Sequence, residues 1–370
     1  MIKLTLIGFV LISLVACVGV RTPAPTLLPT PSPDGTPTSH PTPQPPTQTP
    51  EPTELPSTRI LFTGDINPGR CVALAMIEAD DFTLPYQQIA DDLRAADVLV
   101  GSLDGSITDR AAIENCPETM SLNGPTRVVE GLQYAGFDVI TVATNHAKNC
   151  GNVGCWSDAL LDSIANLEAV GISAVGGGEN LAEARAPVVV EHNGIKFAFL
   201  AGTTVGSEMW AKYDKPGTAP LWIKYLKKDI AAAREQADVV IVLAQWGSEY
   251  THTPNWDQFD VAGVAMDSGA TLVIGNQAHW VQAVEQFPNG VVAYGLGNFV
   301  FDQNWSKKTK QGVVFEAVFR GSELESWQLL PIHIDDNFQA RWADAEESAK
   351  ILKNIEEASQ GPPITTRAQP

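Results

Sequence analysis

Asp65, Asp104, Asn145, His146, Gln245, Gln277 and His279 share one placement: each closes, or closely follows, an apolar run of the sequence. Together they offer two carboxylates, three amides and two imidazoles. Hard oxygen donors with a few imidazoles suit Mn²⁺, Mg²⁺ or Fe better than a thiolate-binding metal. Two such ions about 3.5–4 Å apart activate water and clamp a phosphoryl oxygen. Taken singly, each residue is also ordinary turn or cap chemistry. Their joint recurrence at strand ends is what points to one metal site.

The elements that must position them alternate. Short β-branched and aromatic runs read as strands at 59–63, 98–103, 137–142, 173–175, 195–201, 239–244 and 271–274. Helical spacing separates them at 85–96, 125–135, 156–170, 221–236 and 256–268. This alternation predicts an α/β fold with a mainly parallel sheet, whose ligands gather at the carboxyl ends of the strands. The runs at 281–285, 291–294, 313–319 and 327–332 read as antiparallel strands of a second sheet, and 343–358 as a final amphipathic helix. Many aromatics lie near these strand ends. Trp246 and Trp280 adjoin polar candidates and are expected to wall the cleft, whereas His252 is expected to be a solvated loop residue.

The start of the chain reads differently. Lys3 precedes a charge-free apolar run from Leu4 to Ala16, which is shorter than the roughly 20 residues that span a bilayer. It matches a secretory signal, and Leu14-Val15-Ala16-Cys17 resembles a lipobox in which Cys17 is acylated. Residues 1–17 are therefore read as a lipoprotein signal and 18–57 as a linker. Between 22 and 57 stand 13 prolines and 9 threonines. Such a segment buries too little surface to offset its ordering entropy, and as polyproline II it reaches on the order of 100 Å. Residues 58–335 are read as the folded domain and 336–370 as a C-terminal helix and tail. The chain is expected on the extracytoplasmic side of a bacterial membrane, held by its lipid.

The formal charge is −19. That excludes non-specific nucleic-acid binding, which needs a basic footprint. Beyond Cys17 there are four cysteines, and four allow three connectivities. The short glycine-containing loop favours Cys150–Cys155, leaving Cys71–Cys116. A zinc site at Cys150, Cys155 and His146 is the rival reading.

Gly64-Asp65-Ile-Asn-Pro-Gly-Arg70, Ser102-Leu103-Asp104, Ala143-Thr144-Asn145-His146, Trp246-Gly247-Ser-Glu249-Tyr250, Gly275-Asn-Gln-Ala-His279 and Tyr294-Gly-Leu-Gly-Asn298-Phe299 resemble, in order, the bacterial capsule-synthesis CapA (PgsA) family. The resemblance covers about residues 58–360. It implies a calcineurin-like metallophosphoesterase fold, a four-layer α/β/β/α sandwich. It also implies a surface role in making or exporting poly-γ-glutamate, with the polymer and a capsule synthase complex as partners. By motif, Asp65, Asp104, Asn145, His146, Gln245, Gln277 and His279 fall at metal positions, with Asp65 and His146 catalytic. Arg70, Trp246, Glu249 and Asn298 fall at substrate positions. Four residues depart from the family pattern: Asp104 stands where Glu is usual, Gln245 and Gln277 where His is usual, and Asn149 where Asp is usual. Two readings follow, a metal-dependent hydrolase and a non-catalytic polymer-binding factor on a degenerate scaffold.

Overall fold

The computed structural model describes residues 55–113, 116, 121–151 and 154–360. The expected signal sequence, Cys17, the linker as far as Glu54 and the tail after 360 lie outside them.

The first strands are β1 (Ser57–Ile66), β2 (Val98–Leu103), β3 (Val139–Thr141) and β4 (Ser173–Val175). Helices α1 (Arg70–Ala79), α2 (Val128–Ala135) and α3 (Ser157–Ala169) connect them. The middle of the chain supplies β5 (Val188–His192), β6 (Ile195–Thr203), β7 (Val239–Gln245), β8 (Leu272–Asn276), β9 (Val284–Phe287) and β10 (Gly290–Ala293). Helices α4 (Ile223–Arg234) and α5 (Trp256–Asp267) belong to this half. The chain then returns through β11 (Asn298–Val300), β12 (Gln311–Arg320), β13 (Glu323–Ile334) and β14 (Ala340–Trp342) to helix α6 (Ala345–Ser359).

Two sheets result. One has the order β14-β13-β12-β1-β2-β3-β4, with β11 also paired to β1; the other runs β9-β10-β8-β7-β6-β5. The alternating βα units are thus divided between both sheets, and the late strands do not form a sheet of their own. β12 joins the first sheet beside β1, with Phe315 opposite Phe62, while β9 and β10 extend the second. Periodicity reveals which residues are buried but not which buried strand is a neighbour. The helix expected at 85–96 is instead a 3₁₀ turn at Leu84–Tyr86 and a single helical turn at Ala90–Leu93. Its apolar spacing is real, because Tyr86, Ile89, Ala90 and Leu93 are all buried.

Successive residues of a strand face opposite ways, and here both faces are covered. In β1 and β2, Ile60, Phe62, Val98 and Val100 point into the core between the sheets, whereas Leu61 and Leu99 point to the core beneath α1, α2 and α3. In β7, Val239, Ile241 and Leu243 face the inter-sheet core, and Val240, Val242 and Ala244 meet α4 and α5. The architecture is a four-layer α/β/β/α sandwich. α6 adds Ile351 and Ile355 to the inter-sheet core. It begins with a capping box in which Asp344 accepts from the Glu347 N–H at 2.9 Å. Replacing Asp344 with Ala is expected to cost about 1 kcal/mol. Thermal unfolding of the variant should show a drop of a few degrees.

Candidate functional site

The parallel strands deliver their carboxyl ends to one end of the sandwich. Asp65 lies near the end of β1, Asp104 follows β2, and Asn145 and His146 follow β3. From the other sheet, Gln245 ends β7 and Asn276 ends β8, with Gln277–His279 just beyond. Hydrogen bonds knit the two sets together. The Gln245 side-chain NH₂ donates to Asn145 Oδ1 at 2.7 Å and to Asp104 Oδ1 at 3.4 Å. The Gln277 backbone N–H donates to Asp65 Oδ2 at 3.1 Å, and the Ser102 hydroxyl to Asp65 Oδ1 at 3.1 Å. Gln277 and His279 hold φ values of +95° and +54°. Side chains rarely adopt this region, so the turn is held there by its surroundings.

Asp65 and Asp104 are fully buried. Burial and the neighbouring Asp104 push the Asp65 carboxyl well above its usual range. Burial, with Glu249 nearby, pushes Asp104 up to about 7. His279 Nδ1 lies 2.9 Å from Asn298 Oδ1 and 3.8 Å from Asp65 Oδ2. Burial lowers this imidazole to about 4, so it is neutral at pH 7. His146 Nδ1 lies 2.8 Å from Asn149 Oδ1, which also accepts the Leu122 N–H at 2.8 Å. In both imidazoles Nδ1 is held by an amide oxygen, which fixes the ring's orientation.

The donor set fits a divalent cation. Asp104 Oδ2, Asn276 Oδ1 and Gln277 Oε1 are buried oxygens with no hydrogen-bond partner among the described residues. Buried, mutually repelling carboxylates with unmatched oxygens are relieved by a cation. Among the described residues, three His, Cys, Asp or Glu ligand atoms lie within 4.8 Å of one another only at Cys71, Cys116 and Asp302. There the two thiols are joined in a disulfide (Cα–Cα 4.5 Å). A cation at Asp65 and Asp104 must therefore draw on amide oxygens, water or side-chain adjustment as well. The second pair, Cys150 and Cys155, is also joined, with Cα atoms 5.9 Å apart, which leaves no thiolate there for zinc.

A cleft of about 700 Å³ reaches this cluster at His146 and His279 and is also lined by Arg70, Glu249, Tyr250 and Trp305, among others. Tyr250 stacks near His279, ring centroids 5.8 Å apart, and meets Trp305 edge-on at 4.8 Å. Arg70 donates through Nε to Asp302 Oδ2 at 3.1 Å, and a second guanidinium nitrogen reaches Asp302 Oδ1. Asp302 also accepts the Cys71 N–H at 3.1 Å and the Asn67 side-chain NH₂ at 3.0 Å. Sequence reasoning missed Asp302. It stands two residues after the three-residue strand β11, so the strand-end signal that marks Asp65 and Asp104 was present but faint.

Four expected residues take other roles. Trp246 is not a wall of the cleft: it is fully buried, donates to the Tyr294 carbonyl at 2.9 Å and stacks on that ring in the core under α5. Gln245 is not an available ligand, because its Oε1 already accepts from the Asn145 N–H at 3.0 Å and the Thr203 hydroxyl at 2.7 Å. It is a clamp that sets Asn145 and Asp104. Asn298 is buried and holds His279, with its NH₂ on the Thr309 carbonyl at 2.9 Å, so it does not face substrate. His252 is half-buried rather than solvated, packed on Trp280 with ring centroids 5.0 Å apart.

The Asp104 environment predicts a pH dependence. A carboxyl raised from 3.8 to about 7 in the folded state stabilises the fold fully below 3.8, and that contribution is lost as pH rises through about 7. His279, lowered from 6.5 to about 4, acts oppositely between those values and flattens the overall profile. Asp104→Asn removes the first effect and the part of the Asp65 rise that Asp104 causes, which has the same sign, and leaves that of His279. In chelator, the variant's Tm minus that of the wild type should therefore grow from pH 4 to pH 7.5. A difference that shrinks over this range would contradict the assignment.

Fold and site define a four-layer α/β sandwich carrying an acidic, imidazole-flanked cluster at its strand ends. The profile of the bacterial capsule synthesis protein family PGA_cap matches residues 59–303, and the chain belongs to that family. It is 28% identical over 277 residues to the PGA biosynthesis protein CapA of Bacillus subtilis (strain 168), covering 74% of this chain and 71% of that protein. It is 25% identical over 300 residues to the capsule biosynthesis protein CapA of Bacillus anthracis, covering 79% and 71%. Among solved structures, a novel phosphatase of Mycoplasma pneumoniae is similar with a TM-score of 0.46 at 13% identity, covering 81% of this chain and 99% of that one.

Proposed function

We propose that this protein acts in the biosynthesis or export of a poly-γ-glutamate-type surface polymer, tethered through a lipid on Cys17 to the outer face of a bacterial membrane and working beside a polymer synthase. Its cleft is a divalent-cation-dependent hydrolase centre. Family membership and the names of the two CapA relatives support the polymer. The observation that carries the hydrolase reading is the buried Asp65–Asp104 pair, with an unmatched oxygen on Asp104, next to His279, which lines an open cleft.

Asp65, Asp104, Asn145, Gln277 and His279 would hold the cation, of the Mn²⁺, Mg²⁺ or Fe type. When bound, a divalent cation supplies Lewis-acid polarisation and a water of lowered pKa. The protein's own groups do the rest. His146 exchanges a proton with a leaving group at the cleft wall. Glu249 and the Arg70–Asp302 pair orient the substrate. Tyr250 and Trp305 offer apolar ring surface to the substrate on one side of the cleft.

The commitment of the Gln245 amide to protein hydrogen bonds favours a second reading, a polymer-binding factor without turnover. Elemental analysis of the purified protein, with hydrolysis assays on a phosphodiester and on poly-γ-glutamate before and after chelation, separates the two. Stoichiometric metal and chelation-sensitive turnover support the hydrolase. Bound polymer with no metal and no turnover supports the second reading.

A further inference from the structure

The most unusual surface of this acidic protein lies beside the cleft, in the segment 210–228. It carries Lys212, Lys215, Lys224, Lys227 and Lys228 against a single carboxylate, Asp214, giving +4 in a chain of −19. All five lysines are exposed. The next carboxylate, Asp229, is bound to Arg185 at 2.5 Å, and among the described residues no ion pair engages any of the five ammonium groups. On α4, Lys224, Lys227 and Lys228 share one face by their spacing of three and four. The opposite face buries Leu226, Ile230 and Ala233.

Aromatic rings are interleaved with this charge. Trp210 packs edge-on against Trp222 with centroids 5.1 Å apart, which ties the Lys212–Lys215 turn to the start of α4. Trp222 stacks on Tyr225 at 5.4 Å and is 46% exposed, and Tyr213 is 93% exposed. Large exposed rings beside unpaired ammonium groups mark a recognition surface rather than a solvated face.

The segment also adjoins the site. Lys148, two residues after His146, donates to the Pro216 carbonyl at 2.8 Å. Residues 204–206, just ahead of the segment, also lie against the site: a side chain on Gly206 would sit 2.7 Å from Asn145 Cβ. The Thr204 N–H donates to the Gln245 carbonyl at 3.0 Å.

We infer that residues 210–228 form a docking strip for a linear polycarboxylate chain, which they guide toward the cleft at Asn145 and His146. Closely spaced carboxylates match a row of ammonium groups, whereas the acidic remainder of the surface repels the chain and confines it to the strip. Trp222 and Tyr213 cover its methylene segments. The choice of polycarboxylate rests on the proposed polymer; the strip itself rests on exposure and charge.

The test titrates end-labelled poly-γ-glutamate against the full-length protein in detergent micelles by fluorescence polarisation, with polyphosphate of matched charge as a second probe. Wild type should bind poly-γ-glutamate with an affinity that falls steeply with salt. Lys212→Glu/Lys215→Glu/Lys224→Glu should weaken binding at least about tenfold and flatten the salt dependence. The milder Lys→Gln set should weaken it less, at an unchanged Tm. Trp222→Ala should weaken binding without altering the salt dependence. Lys350→Glu on α6, a charge reversal elsewhere on the surface, should leave affinity unchanged. The inference is overturned if the strip variants bind like wild type, if Lys350→Glu weakens binding equally, or if polyphosphate binds more tightly than poly-γ-glutamate. A wild type that lacks a bound cation refutes the hydrolase reading of the cleft without touching this titration.

Discussion

Asp65→Asn is expected to lower divalent-cation affinity more than about 100-fold while leaving the cation-free protein at least as stable as wild type. The two halves of this result come from one environment. Asp65 is completely buried beside Asp104, and its charge is opposed by desolvation and by that neighbour. Its oxygens already accept from Ser102 and Gln277. Asn has the same shape. It can keep its oxygen on the Gln277 N–H, which cannot reverse, and turn its NH₂ toward the Ser102 hydroxyl, which can accept. The variant thus removes a repulsive buried charge at little packing cost, and with it the strongest anionic ligand. A ligand that binds only the folded state raises stability by RT ln(1 + [L]/Kd). Thermal melts with and without Mn²⁺ therefore read both effects. Wild type should gain Tm with metal, and the variant should not. A variant that keeps the full metal-induced gain would show that the cation, if bound, sits elsewhere.

The second large effect lies at a residue that does not line the cleft. Phe315→Ala is expected to cost about 3–5 kcal/mol. Phe315 is fully buried between the sheets. It meets Phe62 edge-on at 6.1 Å and stacks on Trp327 at 5.6 Å. Its neighbours belong to fixed strands, β1 and β13, which cannot close over the space left by a lost ring. Urea unfolding should show a lower midpoint with little change in slope. Cation affinity of the folded variant should match wild type, because the ring contacts of Phe315 are to Phe62 and Trp327 and not to the cluster. A loss of metal binding at full foldedness would mean that the inter-sheet core sets the site more tightly than its hydrogen bonds indicate.

Much of the candidate site was legible in the sequence because strand ends are local. An apolar run stops where the chain leaves the sheet, and the first polar residue afterwards is marked whatever the strand pairs with. Asp65, Asp104, Asn145, His146 and His279 were found in this way. Asp302 was not, because β11 is three residues long and no periodicity announces it.

What the sequence alone determined was which residues are buried and which polar groups stand at the mouths of the strands. The tertiary structure alone decided how the strands divide between two sheets, since β1 takes β12 as its neighbour across some 250 residues of chain and no local pattern encodes that choice. It also decided what each amide does. Gln245 and Gln277 look alike in the sequence, yet one has its oxygen filled by Asn145 and Thr203 and the other leaves its oxygen unmatched. Trp246 likewise follows a polar strand end but turns into the core. A side chain's available lone pairs and the direction it points depend on what stands across from it, and in this fold the group opposite comes from the other sheet.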